Sequence, residues 1–340
     1  MPISGMGAVP AAGSVYNELT STVRRAFVPA LTVQIYFSTP TLFYLLGAAQ
    51  KSAGGLSQIT VPVQGNSMVQ GQFTGYGGGF NKPIVTPGIQ NAQFNTAFWV
   101  VPVPLPFGET IIQSTDTVIP LLKARMNDVY ATTVQNMGGL IFTNNTANSL
   151  YPSSFIDGFD NGTNAPVYGG INRTQSGNTF WQGQYYDAAA ANILTRQTIS
   201  NYIIRITDNA GGEAPSFGVM SPGDYATLSG TLQGIEQQFV QPNKSYGMEE
   251  VFRSGFPNLN IDGIPIYMDH WCPKGNMFFV NSKYTSMYLN EDAMFDFSGF
   301  YSLVPLMQIG QVGVMVCGYQ IITTKPVANA WITDFTGAAF

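Results

Sequence analysis

Residues 52–108 read SAGGLSQITVPVQGNSMVQGQFTGYGGGFNKPIVTPGIQNAQFNTAFWVVPVPLPFG. Lys82 is the only charged residue in this stretch, which is crowded with glycines, aromatic residues and β-branched residues. A free surface hairpin of this size normally carries charges that block pairing with other chains. The residue types found here favour strands and pack well against other surfaces. The stretch therefore predicts a hairpin that a partner subunit covers, in a protein whose role is assembly.

The pattern inside this stretch predicts two strands and a tip. Apolar residues alternate with other residues from Ile59 to Val63, which is the period of a strand. A second β-rich run covers Phe94–Val103, and the alternate prolines of Pro102–Pro106 exclude a central strand. Gly71–Phe80 is the glycine-rich tip. We expect an extended loop over residues 52–113, with these inter-subunit contacts: Phe73, Tyr76, Phe80, Lys82, Phe98 and Trp99.

The composition of the whole chain agrees with assembly. The chain has 340 residues, enough for a sizeable core, and 45% of them are hydrophobic. Only 10% are charged, against roughly 25% in a typical soluble protein. The net charge of −5 disfavours a dedicated nucleic-acid binder, because neutralising phosphates requires a basic surface. If the protein lies near nucleic acid, we expect it to enclose the nucleic acid without sequence-specific binding.

Chemistry-bearing residues are few. The chain has one histidine, His270, and two cysteines, Cys272 and Cys317. A metal site needs more ligands than these, and we expect the cysteines to be buried, reduced and unpaired. A Cys and a His two residues apart rarely place a nucleophile against its base. The sequence therefore predicts no catalytic residue, no cofactor and no metal, and it indicates that the protein is not an enzyme.

A long amphipathic helix is the clearest element outside the loop. Apolar residues follow a 3.6-residue period over about 117–143, with Thr117 as the expected cap and Pro120 in the first turn. We expect this helix to form the backbone of a domain through its buried face, which includes Leu122, Met126 and Val129.

Short alternating elements follow in the second half. Ile199–Ile206 forms an expected helix face, and Ser221-Pro222 marks the start of another helix. Asp262-Gly263 suits the type I′ turn of a hairpin, and Val312–Ile322 is a late strand. Helices and strands that are mixed in this way predict the α+β class.

Several motifs resemble segments of a known family. They are Gly169-Gly170-Ile171-Asn172-Arg173-Thr174 with Phe180-Trp181, Leu121–Met126, Phe217–Pro222, Ile264–Asp269 with Pro273–Phe279, and Gln308–Pro326. In their order and spacing along the chain, from about residue 110 onward, they resemble the major capsid proteins of tailed bacteriophages. Asn172 departs from the family, which often has Asp there. Some members crosslink subunits through a Lys–Asn isopeptide bond; we expect none here, because Lys82 has no identifiable acceptor or supporting acid.

The resemblance implies an architecture: an N-terminal arm (1–51), the extended loop (52–113), a peripheral domain with the spine helix (114–194 and 309–340) and an axial domain (195–308). It also implies a structural protein that self-assembles as hexamers and pentamers into an icosahedral shell around a phage double-stranded DNA genome. The implied location is the virion capsid, assembled in the host cytoplasm. The further candidate partners are a scaffolding, a portal or a decoration protein.

Three other classes of protein share part of this composition. A phage tail or receptor-binding protein is the nearest, but such proteins are commonly β-rich, whereas this sequence predicts several helices. A membrane barrel is disfavoured because the strands lack the required regular alternation, and an enzyme because of the sparse chemistry. We also expect no signal peptide in Met1–Asn17, and no membrane span in Ala30–Ala49, whose centre is polar and broken by Pro40.

Overall fold

The computed structural model of the protein describes residues 39–52, 58–65, 73–79, 88–106, 115–146, 148, 150–188, 194–232, 258–303 and 310–335. Most of the predicted N-terminal arm (1–51) and the contact residues Phe80 and Lys82 lie outside these ranges. Leu122 lies in a helix whose backbone is described, but its side chain lies outside the described part.

The described chain is of the α+β class, as the sequence predicts. Its helices are α1 (Pro40–Gly47), α2 (Thr115–Ile141), α3 (Phe155–Phe159), α4 (Arg196–Asn209) and α5 (Pro222–Leu232). Its strands are β1 (Gln50–Ser52), β2 (Gln58–Gln64), β3 (Ile89–Asn95), β4 (Ala97–Pro106), β5 (Val167–Tyr168), β6 (Ile171–Asn172), β7 (Gln184–Asp187), β8 (Phe217–Met220), β9 (Asn258–Ile261), β10 (Ile264–Met268), β11 (Met277–Val280), β12 (Thr285–Asn290), β13 (Asp296–Ser302), β14 (Gly310–Thr323) and β15 (Ala330–Thr333).

A five-stranded sheet is built around β14. The strand order is β1-β12-β14-β13, and β4 pairs with β14 from Ala97↔Tyr319 to Pro106↔Gly310. β1 runs parallel to β12, and the other pairs are antiparallel. One face of this sheet packs against α2, which at 1.5 Å per residue is about 40 Å long.

A six-stranded mixed sheet has the order β7-β15-β11-β8-β10-β9. A separate core forms where α4 presents Ile199, Ile203 and Ile206 to this sheet, a spacing of three to four residues that places them on one helix face. The β9–β10 hairpin turns at Asp262 and Gly263, with φ of 53° and 84°. Both values are positive, as the predicted type I′ turn requires.

Most predicted elements are present, with corrections at their edges. α2 begins at Thr115, so Pro120 is its sixth residue and does not lie in the first turn as expected. α1 is an addition to the predicted elements, because the polar centre of Ala30–Ala49 and its Pro40 argued only against a membrane span. In the structure Pro40 is the first residue of α1, a position where its missing N–H costs nothing. Both cysteines are buried and unpaired, as expected.

The strand pairing crosses the boundaries of the predicted domains. β12 and β13 were assigned to the axial part, yet both pair with β14, which was assigned to the peripheral part. β15 pairs with β7 and β11 in the six-stranded sheet. The division at residue 309 therefore does not coincide with a sheet boundary. Strand partners are selected by side-chain packing between distant segments, and the local sequence does not show this packing.

Candidate assembly interface

The β2–β3 hairpin forms a two-stranded sheet of its own, with pairs running from Gln58↔Asn95 to Gln64↔Ile89. Alternate residues of β3 face in opposite directions, so that Ala92 and Phe94 are buried while Gln93 and Asn95 are exposed. The alternation predicted from Ile59 to Val63 is present in β2, where alternate residues are half-buried and exposed. The end of β3 contacts the five-stranded sheet, since Gln320 of β14 donates from Nε2 to the Asn95 carbonyl at 2.7 Å.

The base of the hairpin rests on its own subunit. We call its support the platform; it consists of Tyr168, Ile171 and Trp181. The ring of Phe94 meets the ring of Tyr168 edge-on, with centroids 5.0 Å apart, and the Gln93 N–H donates to the Gly169 carbonyl at 2.9 Å. The sequence predicted a hairpin that a partner subunit covers, whereas the base of the hairpin is covered by its own subunit.

A buried arginine stiffens the segment that carries the platform. Arg173 donates from Nη1 to the Asp160 carbonyl at 2.8 Å and from Nη2 to the Gly158 carbonyl at 3.1 Å, and its guanidinium lies 4.5 Å from the centre of the Tyr168 ring. Burial lowers the pKa of Arg173 to about 10, so it stays protonated at neutral pH. The arginine in the family-like motif therefore has a structural role that sequence reasoning missed, because both of its acceptors are backbone atoms.

The tip of the hairpin exposes its aromatic residues completely. Phe73 and Tyr76 have relative exposures of 109% and 112%. Within the tip, the Gly78 N–H donates to the Gly75 carbonyl at 2.9 Å, and the Thr74 hydroxyl donates to the same carbonyl at 3.2 Å. Two aromatic side chains held in water at a charge-free tip are available to a partner, since each would bury a large apolar area on contact.

A second exposed apolar surface lies on the five-stranded sheet, on the face opposite to α2. Phe98 and Val100 are 54% and 51% exposed, and Tyr301 of β13 is 59% exposed. Register places Val100 beside Val316 and Pro102 beside Val314, so these side chains share one face. We call this surface the outer face; it consists of Phe98, Val100, Pro102, Pro104, Tyr301, Val312, Val314 and Val316. Contiguous exposed apolar surface of this kind is typical of protein interaction sites.

The alternate prolines explain why β4 is an edge strand. Proline has no N–H to give to a sheet, and Pro102, Pro104 and Pro106 occupy the same alternate positions of β4. Among the described strands, β4 pairs only with β14, as the sequence predicts for a strand that cannot be central. Arg125 of α2 donates to the Pro104 carbonyl at 2.5 Å. β4 therefore belongs to the subunit core and not to the extended loop of 52–113.

Comparison with known proteins finds similarity in structure alone. No family model and no curated protein matches the sequence. The capsid asymmetric unit of cyanophage A-1(L) matches with a TM-score of 0.65 at 13% identity, over 88% of this chain and 93% of that one. The capsid of a native GTA particle matches with 0.56 at 11% identity, over 86% and 90%. The holo-SrpI encapsulin complex from Synechococcus elongatus PCC 7942 matches with 0.55 at 9%, over 89% and 90%.

The chain has the capsid fold of the tailed phages. The fold that the sequence motifs implied is therefore confirmed. The structural alignments cover nine tenths or more of each of the three matched chains. The long helix that resembles the spine of the capsid fold is α2, and Met126 and Val129 are buried in its core as predicted.

The predicted contact residues of this capsid fold divide into two groups. Phe73, Tyr76 and Phe98 are exposed on the single subunit. Trp99 points the other way, is half-buried against the core, and donates from Nε1 to the Thr133 hydroxyl of α2 at 3.3 Å. Since adjacent residues of a strand face opposite sides, Phe98 and Trp99 cannot serve the same surface. Trp99 therefore packs within its own subunit.

Both cysteines are buried in the protein core. Burial raises the pKa of the Cys272 thiol well above its usual value, and burial raises that of Cys317 to about 12. A buried thiol with a raised pKa is a poor nucleophile. Among the described residues, no group of three His, Cys, Asp or Glu side chains could hold a metal ion. In the same part of the chain, no helix is both long and apolar enough to span a membrane.

Proposed function

We propose that the chain is the structural subunit of an icosahedral shell that self-assembles from hexamers and pentamers. The capsid fold of a chain with two exposed apolar surfaces carries this proposal. The tip with Phe73 and Tyr76 is one of these surfaces, and the outer face is the other. A partner that covers both would bury apolar area, which contributes roughly 25 cal/mol per Å².

The exposure of each predicted contact residue decides its place in this proposal. Phe73, Tyr76 and Phe98 are the described residues that we assign to inter-subunit contact. Phe80 and Lys82 complete the set on the sequence argument alone. The peripheral part then centres on α2, with Leu122, Met126 and Val129 as its core, and the six-stranded sheet supplies most of the axial part.

The proposed content of the shell is a phage double-stranded DNA genome, and the proposed place of assembly is the host cytoplasm before the shell becomes the virion capsid. The net charge of −5 supports enclosure of DNA without sequence-specific binding, since tight phosphate binding needs a basic surface. A scaffolding, portal or decoration protein is the proposed class of further partner. The role needs no catalysis, cofactor or metal.

Electron microscopy of the purified full-length chain tests the proposal. The chain is expressed alone, separated by sedimentation and viewed in negative stain. Closed shells of uniform size are the expected result. Rods or knobs would contradict it and would favour a phage tail or receptor-binding protein instead.

The content of the shell needs a separate observation. Antibodies raised against the chain should label DNA-filled heads in particles purified from the natural source after nuclease treatment. Labelled shells without protected double-stranded DNA would retain the assembly proposal and would overturn the proposed content.

A further inference from the structure

A cleft with a polar floor lies beside the base of the β2–β3 hairpin. Its walls come from the end of β3, from the loop of residues 145–153, from α3, from β5 and from Gln320 of β14. Its volume is about 160 Å³, the space of about five molecules of liquid water. Among the described residues, no lysine or arginine lines this cleft. The cleft therefore has room for one side chain and holds no cation of its own.

A buried amide oxygen in this cleft has no hydrogen-bond partner. Asn145 lines the cleft and is only 5% exposed. Its Nδ2 donates to the Leu140 carbonyl at 3.0 Å and to the Pro152 carbonyl at 2.8 Å, which fixes the orientation of the amide group. The Oδ1 atom is then left without a donor within the described subunit. Buried acceptors are normally paired, so this atom favours a ligand that brings an N–H group.

A buried carboxylate gives the same cleft a negative charge. Asp157 is 4% exposed, and its Oδ1 accepts the Thr146 hydroxyl at 2.7 Å and the Asn145 N–H at 3.3 Å. Its Oδ2 accepts the Ser154 N–H at 2.9 Å. These donors are neutral, and the guanidinium of Arg173 donates to backbone carbonyls instead. A carboxylate has about four acceptor positions, so Oδ2 keeps one for a further donor. Charge and acceptors together favour a cationic ligand.

The rim of the cleft is apolar and open to water. Tyr151 and Val167 both line the cleft, and about half of each side chain is exposed. An arginine side chain fits a polar floor under an apolar rim, because its stem packs on apolar surface while its planar guanidinium donates several hydrogen bonds. The guanidinium also stacks on aromatic rings such as that of Tyr151. The chemistry of the cleft is therefore that of an arginine site.

We propose that this cleft binds an arginine of the N-terminal segment of the same chain, from the pair Arg24 and Arg25. They are the only two adjacent basic residues in the sequence. Arg25 precedes Thr39 by fourteen residues, which span up to about 45 Å when extended, more than the length of α2. Tethering to the same chain also gives the segment a high effective concentration at the cleft. The proposal does not depend on the proposed shell function.

Hydrogen exchange measured by mass spectrometry tests the proposal on the full-length chain. The double variant Arg24→Gln with Arg25→Gln removes both charges. We expect peptides covering residues 145–153 to exchange about tenfold faster in it, the scale of one lost hydrogen bond to a charged group. Arg196→Gln is the matched control, because Arg196 is exposed and does not line the cleft. Equal exchange at 145–153 in the wild type and the double variant would overturn the proposal.

A change in the cleft should release the segment in return. Val167→Lys places a cation at the rim and should speed exchange at residues 20–30. Ile204→Lys is its matched control, since Ile204 is an exposed apolar residue of α4 away from the cleft. Val167→Lys combined with the double variant should exchange at 20–30 no faster than either alone, because both changes break one contact. Effects that multiply would contradict the proposed contact.

Tyr151→Ser keeps the proposal testable if Val167→Lys fails to fold. Serine removes the ring from the rim without adding a charge, and exchange at residues 20–30 should again become faster. Exchange at 20–30 in the wild type should not depend on protein concentration, because the segment and the cleft belong to one chain. Protection of 20–30 that appears only as the concentration rises would overturn this assignment, since the arginine would then come from another copy.

Discussion

Gly169 lies so close to Phe94 that a Cβ atom added to residue 169 would be 2.7 Å from the Phe94 Cζ atom. Its φ of +57° is also one that residues with a side chain rarely adopt. The two features together let the platform segment meet the base of the β2–β3 hairpin without a gap.

Gly169→Ala should therefore destabilise the isolated subunit by about 1–3 kcal/mol, through both backbone strain and overpacking. Gly170→Ala is the matched control, because Gly170 has a φ of +76° but no atom within 4 Å of the added Cβ. Urea unfolding of both variants separates the two causes. Equal losses of free energy in the two variants would show that the contact with Phe94 contributes nothing.

The buried face of α2 can be tested at Met126, since the side chain of Leu122 lies outside the described residues. Met126 is 4% exposed, and truncating a buried side chain of this size costs about 2–5 kcal/mol. Met126→Ala should lower the free energy of unfolding by such an amount. Asn127→Ala, one residue along on the exposed side of the helix, should leave it within about 0.5 kcal/mol. If the two variants unfold at the same denaturant concentration, the buried face has been misplaced.

The sequence predicted the helices and strands better than the contacts between them. The period from Ile59 to Val63, the Asp262-Gly263 turn and the 3.6-residue repeat of α2 depend on neighbouring residues, and all three are present. The contact between Phe94 and Tyr168 joins residues far apart in the chain, and no local pattern reports it. The absence of charge indicated that the hairpin is covered, but it could not show that its own subunit covers the base.

The tip and the base of the hairpin should therefore respond differently to mutation. Phe73 and Tyr76 contact water in the subunit, so replacing both with serine should leave the unfolding free energy within about 0.5 kcal/mol and reduce particle yield. Phe94→Ala removes a buried ring and should cost the subunit about 3–5 kcal/mol. Circular dichroism reports folding, and sedimentation reports yield. An undiminished yield from the tip variant would remove the tip from the interface.

Assembled particles should resist salt. The residues assigned to contact in the described chain are uncharged, and at about 1 M salt the Debye length is only about 3 Å, so Coulomb interactions at exposed sites are screened. Apolar contacts persist or strengthen under these conditions. Light scattering should stay constant as salt is raised from low concentration to about 1 M. Dissociation by salt alone would show that charged residues hold the particle together.

The two faces of β4 allow the sharpest separation of folding from assembly. Phe98 lies on the outer face and Val101 lies on the inner face, where it is 8% exposed. Phe98→Asp places a carboxylate in water on the isolated subunit but at a buried contact in the particle, where an unpaired charge is costly. It should preserve the circular dichroism spectrum and prevent particle formation. Val101→Asp buries the same charge in the core and should unfold the subunit. Normal particle yield from Phe98→Asp would show that the outer face stays solvent-exposed, and the partner surface would then have to lie elsewhere.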